Sequence, residues 1–179
     1  MSNAIKKEVT PKFSIMPACP KDAKDIARMI NAEHDLTNSV LKVTEKEVEA
    51  WIKNGLSYVA KDENGQIVGH QAVHIWPGCG WAEFRSSVVA SNYRGKGISK
   101  QLKQNLINIL VQSGVHTFVL VKNEESKGYH TLNDLGFVKI ETSQVPSELF
   151  SIGEGKDHNP DTWQVYVKQI NILKEQIRN

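Results

Sequence analysis

The residues with the clearest chemical potential lie in one stretch, residues 82–97 of a chain of 179. This stretch contains a carboxylate at Glu83, a guanidinium at Arg85 and the basic, glycine-rich run 94–97. Glycine backbone can approach a ligand closely, and the N–H groups at the start of a helix are unpaired and partially positive. If a helix follows the run, we expect it to bind a pyrophosphate. A mobile basic turn without a ligand is the alternative.

The pattern on either side of the run predicts the strand and helix that a phosphate site needs. Apolar residues recur after it at three- and four-residue spacing: Ile98, Leu102, Leu106, Ile109 and Leu110. This spacing predicts a helix from residue 98 that ends near Gly114. Residues 82–90 are predicted to form the strand that leads into the loop.

A known cofactor loop resembles the run Arg94-Gly95-Lys96-Gly97-Ile98-Ser99. It is the Arg/Gln-x-x-Gly-x-Gly/Ala loop of the GNAT N-acetyltransferase superfamily, which holds the pyrophosphate of acetyl-CoA. Ser99 stands where the family has Gly or Ala, and serine is small and favours helix starts. The resemblance extends over residues 13–170 in element order and is specific at 83–102 and 135–137.

The resemblance also implies which residues bind acetyl-CoA. The loop residues are Arg94, Gly95, Lys96, Gly97, Ile98 and Ser99. The backbone of Val88 and Val89 would hold the pantetheine and polarise the thioester carbonyl, which is oxyanion stabilisation by fixed dipoles. Asn123 stands where family members bond to the cofactor, and a helix cap or loop residue is the alternative. Lys100 and Lys103 could reach a cofactor phosphate, but we favour a solvated helix face for both.

Glu83 is the candidate general base. An amine with a pKa of about 10.4 is mostly protonated near neutrality and must lose a proton before it attacks a thioester. A carboxylate within an apolar strand is costly unless it is paired or used. An ion pair with Arg85 on a solvated sheet face is the alternative. Residues 82–89 resemble the acceptor-side strand of the superfamily. In that family, a glutamate at the position of Glu83 often serves as the base.

Because side chains alternate along a strand, residues 83–89 are predicted to divide between two faces. The predicted faces are Glu83, Arg85, Ser87 and Val89 on one side and Phe84, Ser86 and Val88 on the other.

The proton donor for the departing thiolate is less clear. The family often has a tyrosine four residues before its late Gly-Phe pair, and here that position is Leu132. Tyr129, one helical turn earlier, is the candidate acid. A half-buried helix tyrosine is the alternative, and a thiol with a pKa of about 8.5 can also leave without an acid.

We interpret the chain as an N-acetyltransferase in which a primary amine attacks acetyl-CoA directly. Residues 82–97 are also similar to the acetyltransferase domain of N-acetylglutamate synthases, which implies a small acceptor such as an amino acid. Arg85 would then clamp the acceptor carboxylate. A polyamine or protein lysine, attracted by acidic residues 45–49, is one alternative, and a non-catalytic acyl-CoA-binding or sensing module is another. The acceptor, the accepted acyl chain and the oligomeric state, with a homodimer as one option, stay open.

The composition is that of an ordinary globular chain with 40% hydrophobic residues. We expect one domain over residues 11–179, after a disordered or tag-like segment 1–10. A net charge of +2 predicts no nucleic-acid partner, and no apolar run predicts a membrane span. Cys19 and Cys79 lack metal or redox spacing, which favours reduced thiols in a cytoplasmic protein.

We expect no metal either. His70 and His74 lie on one strand face but roughly 13 Å apart at about 3.3 Å per residue, too far to share an ion.

The remaining pattern predicts an α/β domain with the GNAT-like order β-α-α-β-β-β-α-β-α-β-β and a mixed sheet. Predicted strands are 13–18, 57–61, 66–76, 82–90, 117–121, 136–140 and 163–167. Predicted helices begin at 20, 44, 98 and 126, with 34–42 irregular and 145–160 a loop. Thr44 and Glu47 form a capping box, with Val43 stapled against Val48, and Asn64-Gly65 signals a two-residue hairpin turn.

Overall fold

The computed structural model describes residues 12–37, 40–76, 78, 80–123, 129–145 and 163–170. The strands in these ranges are β1 (Phe13–Pro17), β2 (Ser57–Asp62), β3 (Ile67–Trp76), β4 (Trp81–Val89), β5 (Thr117–Asn123), β6 (Val138–Ile140) and β7 (Trp163–Gln169). The helices are α1 (Ala23–Thr37), α2 (Glu45–Lys53), α3 (Ile98–Gln112) and α4 (Tyr129–Asp134). The predicted α/β class and element order are therefore confirmed.

The strands form one sheet in the order β1-β2-β3-β4-β5-β7-β6. Neighbouring strands are antiparallel except for β4 and β5, which α3 connects as a parallel crossover. This parallel pairing covers only Trp81–Phe84 of β4 and residues 117–120 of β5. Beyond it β4 stays paired with β3 up to Val89, and β5 stays paired with β7 up to Asn123. The two strands therefore diverge and open the sheet at its centre.

Helices cover both faces of the sheet. α1 and α2 bury Ile26, Ile30 and Val48 against one face, together with Val59 of β2. α3 and α4 bury apolar side chains on the other face, where Leu106 and Leu132 pack in one cluster with Phe84. Gly69 of β3 allows α3 to lie close, because a Cβ there would be 2.7 Å from Ile98 Cγ2.

A β-bulge interrupts β4 next to the opening. Ala72 of β3 pairs with Arg85 and His70 pairs with Val88, so one residue of β3 faces two of β4. Ser86 has φ +49°, and among the described residues it is the only non-glycine with positive φ. The bulge sits where β4 leaves β5, so it shapes the edge that faces the opening.

The bulge corrects the predicted division of faces, because an extra residue reverses the alternation that follows it. Phe84 and Val89 both pack on the side of α3, although they were predicted on opposite faces. Val88 packs with Val48 on the side of α1 and α2. Ser87, predicted to share a face with Glu83, contacts α3 instead.

Two side chains of β3 hold the bulge by replacing backbone hydrogen bonds. His70 Nδ1 lies 2.9 Å from the Ser86 carbonyl oxygen, and because a carbonyl only accepts, this nitrogen carries the proton. His70 Nε2 therefore accepts from the Ser57 hydroxyl at 3.0 Å. Gln71 Nε2 donates to the Arg85 carbonyl oxygen at 2.8 Å. Both β4 carbonyls are thus held by side chains.

The burial of His70 keeps its ring neutral. It has no exposed surface and stacks on Trp51 of α2 with 6.2 Å between ring centroids. Burial lowers the pKa of His70 from 6.5 to about 4, and the hydrogen bond to the Ser86 carbonyl offsets only part of that shift. The neutral tautomer that fixes the bulge is therefore the stable form near neutral pH.

Several predicted boundaries move. α1 continues to Thr37, so residues 34–37 are helical and not irregular as predicted. The hairpin turn holds three residues, 63–65, and not two. Asp62 N–H donates to the Gln66 carbonyl across the turn, and Gly65 ends the turn at φ +77°.

The prediction for the start of α2 is correct, whereas the predictions for the later part of the chain are only partly met or lie outside the described residues. The capping box of Thr44 and Glu47 is present, and Val43 and Val48 share one cluster. β6 begins at Val138, two residues later than predicted. Most of the predicted 145–160 loop and the first residues of the helix predicted from 126 lie outside the described residues.

His70→Leu tests the bulge. We expect the free energy of unfolding at about pH 7 to fall by about 1–3 kcal/mol, because the Ser86 carbonyl loses its donor. In the wild type the unfolded histidine binds a proton below 6.5 and the folded one only near 4, so stability falls as the pH drops through this window. The variant lacks this loss, so the difference should narrow at about pH 4.5.

Urea titrations at both pH values measure this difference. His116→Gln changes a histidine outside the bulge and is the control. If the free energies of unfolding of His70→Leu and wild type differed by the same amount at the two pH values, the assignment of a buried, neutral His70 to the bulge would be contradicted.

Candidate active site

The glycine loop ends in an open helix N-terminus. Gly97 is the N-cap of α3 at φ +77°, a conformation that favours glycine, and no side chain caps the helix. A Cβ built on Gly95 meets nothing within 4 Å, and one on Gly97 meets only Gln101 Nε2 at 3.8 Å. Among the described residues other than chain neighbours, none but Gln101 therefore comes within 4 Å of these two positions, and α3 presents its first N–H groups beside them. This geometry fits an anionic group.

The two loop cations are exposed but already have partners. Arg94 Nε donates to the Val89 carbonyl oxygen at 3.0 Å, and its Nη2 forms an ion pair with Glu33 of α1. Lys96 Nζ donates to the Asn92 carbonyl oxygen at 2.9 Å and lies 5.1 Å from the ring centroid of Tyr93. Binding of an anion by Arg94 would require it to share or leave Glu33.

The other predicted cofactor residues of this region differ in what they can offer. The side chain of Ile98 is buried beneath the sheet, so only its N–H can meet a ligand. Val88 is also buried in core, and the Val89 side chain packs with Ile98, which leaves their backbone for the predicted role. Ser99 Oγ accepts a hydrogen bond from Lys103. Beyond Phe84, the described sheet gives β4 no hydrogen-bonded partner on the side of β5.

Glu83 is buried at the point where β4 and β5 separate. Its side chain is 1% exposed, and Arg85 donates to a single oxygen, Oε2, from Nε at 2.8 Å and from Nη2 at 2.6 Å. Burial raises the pKa of Glu83 above 4.5, and the charge and hydrogen bonds of Arg85 oppose the shift. The ion pair held open as an alternative is therefore present, but it lies in a buried site and not on a solvated face.

His74 lies next to Glu83 on the neighbouring strand. It was not among the site residues predicted from the sequence. It pairs with Glu83 across β3 and β4, and its ring lies edge-on to Trp76 at 5.0 Å. Burial, together with the nearby charge of Arg85, lowers the pKa of His74. The pairing depends on strand register, which no local sequence pattern indicates. Among the described residues, no group of three His, Cys, Asp or Glu side chains is arranged to hold a metal ion.

Lys103 is the largest departure from the sequence interpretation. Its side chain was assigned to a solvated helix face together with Lys100, but Lys103 is 3% exposed and only Lys100 is on the surface. Lys103 Nζ donates to Ser87 Oγ at 2.7 Å and to Ser99 Oγ at 2.9 Å. Its position gave a weak signal, since Lys103 lies three and four residues before Leu106 and Ile107, which are both buried on α3.

The candidate residues on β5 and α4 are only partly defined. Asn123 ends β5 and Tyr129 begins α4, and the side chains of both lie outside the described residues. Their predicted roles stay predictions. Leu132 is 3% exposed within the apolar core, so this position offers no acid. Cys19 is a free thiol that donates to Asp22 Oδ2 at 3.1 Å. Cys79 lies outside the described residues.

The opened sheet, the uncapped helix start and the buried carboxylate belong to one mixed α/β domain, in which β4 carries the candidate base and leads into the candidate anion site. The acetyltransferase (GNAT) family model matches residues 25–137, which is more than half of the chain. The chain therefore belongs to the GNAT family of acetyltransferases, as the loop motif predicted. No curated protein matches it in sequence. No helix in the described ranges combines the length and apolarity needed to cross a membrane.

Solved structures share the fold at low sequence identity. N-acetylglutamate synthase from Neisseria gonorrhoeae, complexed with coenzyme A and N-acetyl-glutamate, is 15% identical with a TM-score of 0.72, covering 89% of this chain and 35% of that one. A Mycobacterium tuberculosis protein in complex with CoA is 18% identical with a TM-score of 0.72, covering 88% and 99%. A GNAT-family acetyltransferase from Staphylococcus aureus is 15% identical with the same TM-score, covering 89% and 100%. This chain thus spans about a third of the Neisseria synthase.

Arg85→Met tests the buried ion pair. The guanidinium is the group that opposes the desolvation of Glu83, so its loss should raise the pKa of Glu83 further. A carboxyl whose folded pKa is raised favours folding at low pH and loses that stability as the pH rises through the folded value. We therefore expect a loss of about 3–5 kcal/mol at about pH 8 and a clearly smaller loss at about pH 5.

Denaturant titrations at the two pH values measure the loss, and carbon NMR of the labelled Glu83 carboxyl follows its titration directly. Arg28→Met removes an exposed pair with Asp25 and should leave both measurements unchanged. A Glu83 titration that stays at its wild-type position in Arg85→Met would refute the coupling.

Proposed function

We propose that this protein transfers an acetyl group from acetyl-CoA to the primary amine of a small acceptor. The observation that carries the proposal is the buried Glu83 on β4, at the point where β4 leaves β5, on the strand that leads into the uncapped N-terminus of α3. Membership of the GNAT family supports the same reaction class.

Acetyl-CoA would bind along the opened edge of β4. The N–H groups of residues 95–99 would hold the pyrophosphate, with Arg94 and Lys96 adding charge. The pantetheine would enter between β4 and β5, where the backbone of Val88 and Val89 has no strand partner on the side of β5. Solved relatives with the same fold contain CoA, which supports this cofactor.

The acetyl group would pass to the amine by direct attack. Glu83 takes the proton of the attacking amine, and its raised pKa brings a carboxylate closer to the range in which a base is effective. Backbone N–H groups at the bulge would stabilise the negative charge that develops on the thioester oxygen. The amine nitrogen forms the new bond to the acetyl carbon, and the carbon–sulfur bond breaks.

A small amino acid is the acceptor class that we favour. Arg85 is 19% exposed and uses two donors on one Glu83 oxygen, which leaves part of its guanidinium for a carboxylate. The Neisseria synthase binds N-acetyl-glutamate, which supports the class. The polyamine alternative is less favoured, because one of its acidic residues, Glu47, already serves the helix cap, where its Oε2 accepts from Thr44 N–H at 2.6 Å.

The domain limits and the oligomer stay proposals. Residues 11–179 are taken as one catalytic domain, and a homodimer is compatible with it.

Glu83→Gln tests the reaction. We expect turnover to fall by about 10²–10⁴-fold, because the amine loses its base. The wild-type rate should fall as the pH drops through the raised pKa of Glu83, and this acidic limb should disappear in the variant. The measurement is thiol release with a panel of amino acids, their amides and polyamines, with mass spectrometry of the products.

Glu49→Gln is the matched control, because Glu49 is an exposed carboxylate of α2. It should leave the amino-acid rates unchanged. If the protein acetylated polyamines but no amino acid, and Glu49→Gln lowered that rate, a polyamine would replace the amino acid as the proposed acceptor. No product with any amine, despite tight binding of acetyl-CoA, would favour the sensing module.

Gly97→Val tests the cofactor site. A β-branched residue at φ +77° is strained and crowds the N–H groups of α3, so we expect CoA affinity to fall at least about tenfold by calorimetry. Gly55→Val is the control, because Gly55 has φ +69° with nothing within 4 Å of a Cβ but lies at the end of α2. The Gly55→Val variant should lose about as much free energy of unfolding as Gly97→Val but should keep its affinity for CoA. Equal CoA affinity in both variants would remove the loop from the site.

A further inference from the structure

The reaction described above releases a thiolate, which an acid at the departing sulfur would help to leave. Bond cleavage leaves the electron pair on sulfur, and a positioned acid beside it lowers the barrier. Glu83 faces the opposite need, since it receives a proton from the amine. A proton donor for the sulfur would therefore be a different group along the opened edge of β4.

Lys103 lies on the side of the sheet away from Glu83. Its ammonium bridges Ser87, in the part of β4 that has left β5, and Ser99, in the first turn of α3. An ammonium has three protons, and the described residues accept two of them. One proton of Lys103 is therefore available to a ligand.

The cofactor route passes this amine. With its pyrophosphate at residues 95–99 and its thioester at the bulge of β4, as proposed above, the arm between them would run from the level of Ser99 to the level of Ser87. Lys103 spans these same two side chains. The polar and charged groups that the described residues bring to Lys103 are these two hydroxyls and Lys122 of β5, which acts on it electrostatically.

The geometry points to Lys103 as the acid that protonates the departing thiolate of CoA, an inference that rests on the proposed acetyl transfer. The amine nitrogen bonds to the acetyl carbon, the carbon–sulfur bond breaks, and sulfur takes its proton from Lys103 Nζ. Glu83 gains the proton that the amine loses. Exchange of one proton with solvent on each side restores both groups, so the cycle balances.

The electrostatic surroundings of Lys103 suit a donor. Burial, with a smaller effect from Lys122, lowers the pKa of Lys103 from 10.5 to about 7. A group with this pKa is substantially protonated near neutrality and gives up its proton far more readily than an exposed lysine.

Lys103→Met is the first test, since methionine fits an apolar environment of similar length. We expect kcat to fall by about 10²-fold with little change in the acceptor KM. The wild-type rate should fall as the pH rises above about 7, because the ammonium is lost, and this basic limb should be absent in the variant. Lys100→Met, which removes an exposed lysine of the same helix paired with Asp134, should keep both rate and limb.

Calorimetry with CoA and desulfo-CoA is a second test that does not depend on turnover. If Lys103 faces the sulfur, the wild type should bind CoA about tenfold or more tightly than desulfo-CoA, and Lys103→Met should bind the two equally. Equal binding by the wild type, or a kcat of Lys103→Met within about twofold of wild type, overturns the assignment of Lys103 and leaves acetyl transfer intact. A wild type that binds no CoA and acetylates no amine refutes the proposed function itself.

Discussion

The bulge in β4 determines where every group of the candidate site lies. If β4 alternated regularly from Glu83 to Val89, Ser87 would share a face with Glu83 and would not reach Lys103 on the side of α3. His70 and Gln71 hold the bulge from opposite faces of β3, each through a carbonyl of β4. Because ladder hydrogen bonds are lost at a bulge, a buried side chain that restores them is a stabilising substitute.

The replacement of backbone hydrogen bonds by these two side chains has a cost that is visible in the structure. His70 must stay neutral, and the Oε1 atom of Gln71 is buried without a hydrogen-bond partner among the described residues. An unsatisfied buried oxygen destabilises by about 1–3 kcal/mol. A protein retains such a cost where the local geometry has a use, and here the geometry is the opened edge of β4.

The sequence predicted what depends on local chemistry. The apolar spacing of α3, the capping box of α2 and the glycine loop each follow from neighbouring residues, and the element order was correct in full. The bulge, the neighbour relation of His74 and Glu83 and the burial of Lys103 were not predicted. Each depends on register or on contacts between distant elements, and one extra residue in β4 was enough to reverse the predicted faces of Val88 and Val89.

Low dielectric surroundings act in opposite directions on the two titratable groups at the opening. Burial raises the pKa of Glu83 and lowers that of Lys103, so both shifts disfavour charge. Arg85 limits the shift at Glu83, whereas Lys122 adds to the shift at Lys103. The Glu83 carboxylate and the Lys103 ammonium therefore coexist only over a narrowed pH range below about 7. Because of the bulge, Glu83 and Ser87, which Lys103 contacts, lie on opposite faces of β4, so the candidate base and the proposed proton donor would act on a bound thioester from different sides.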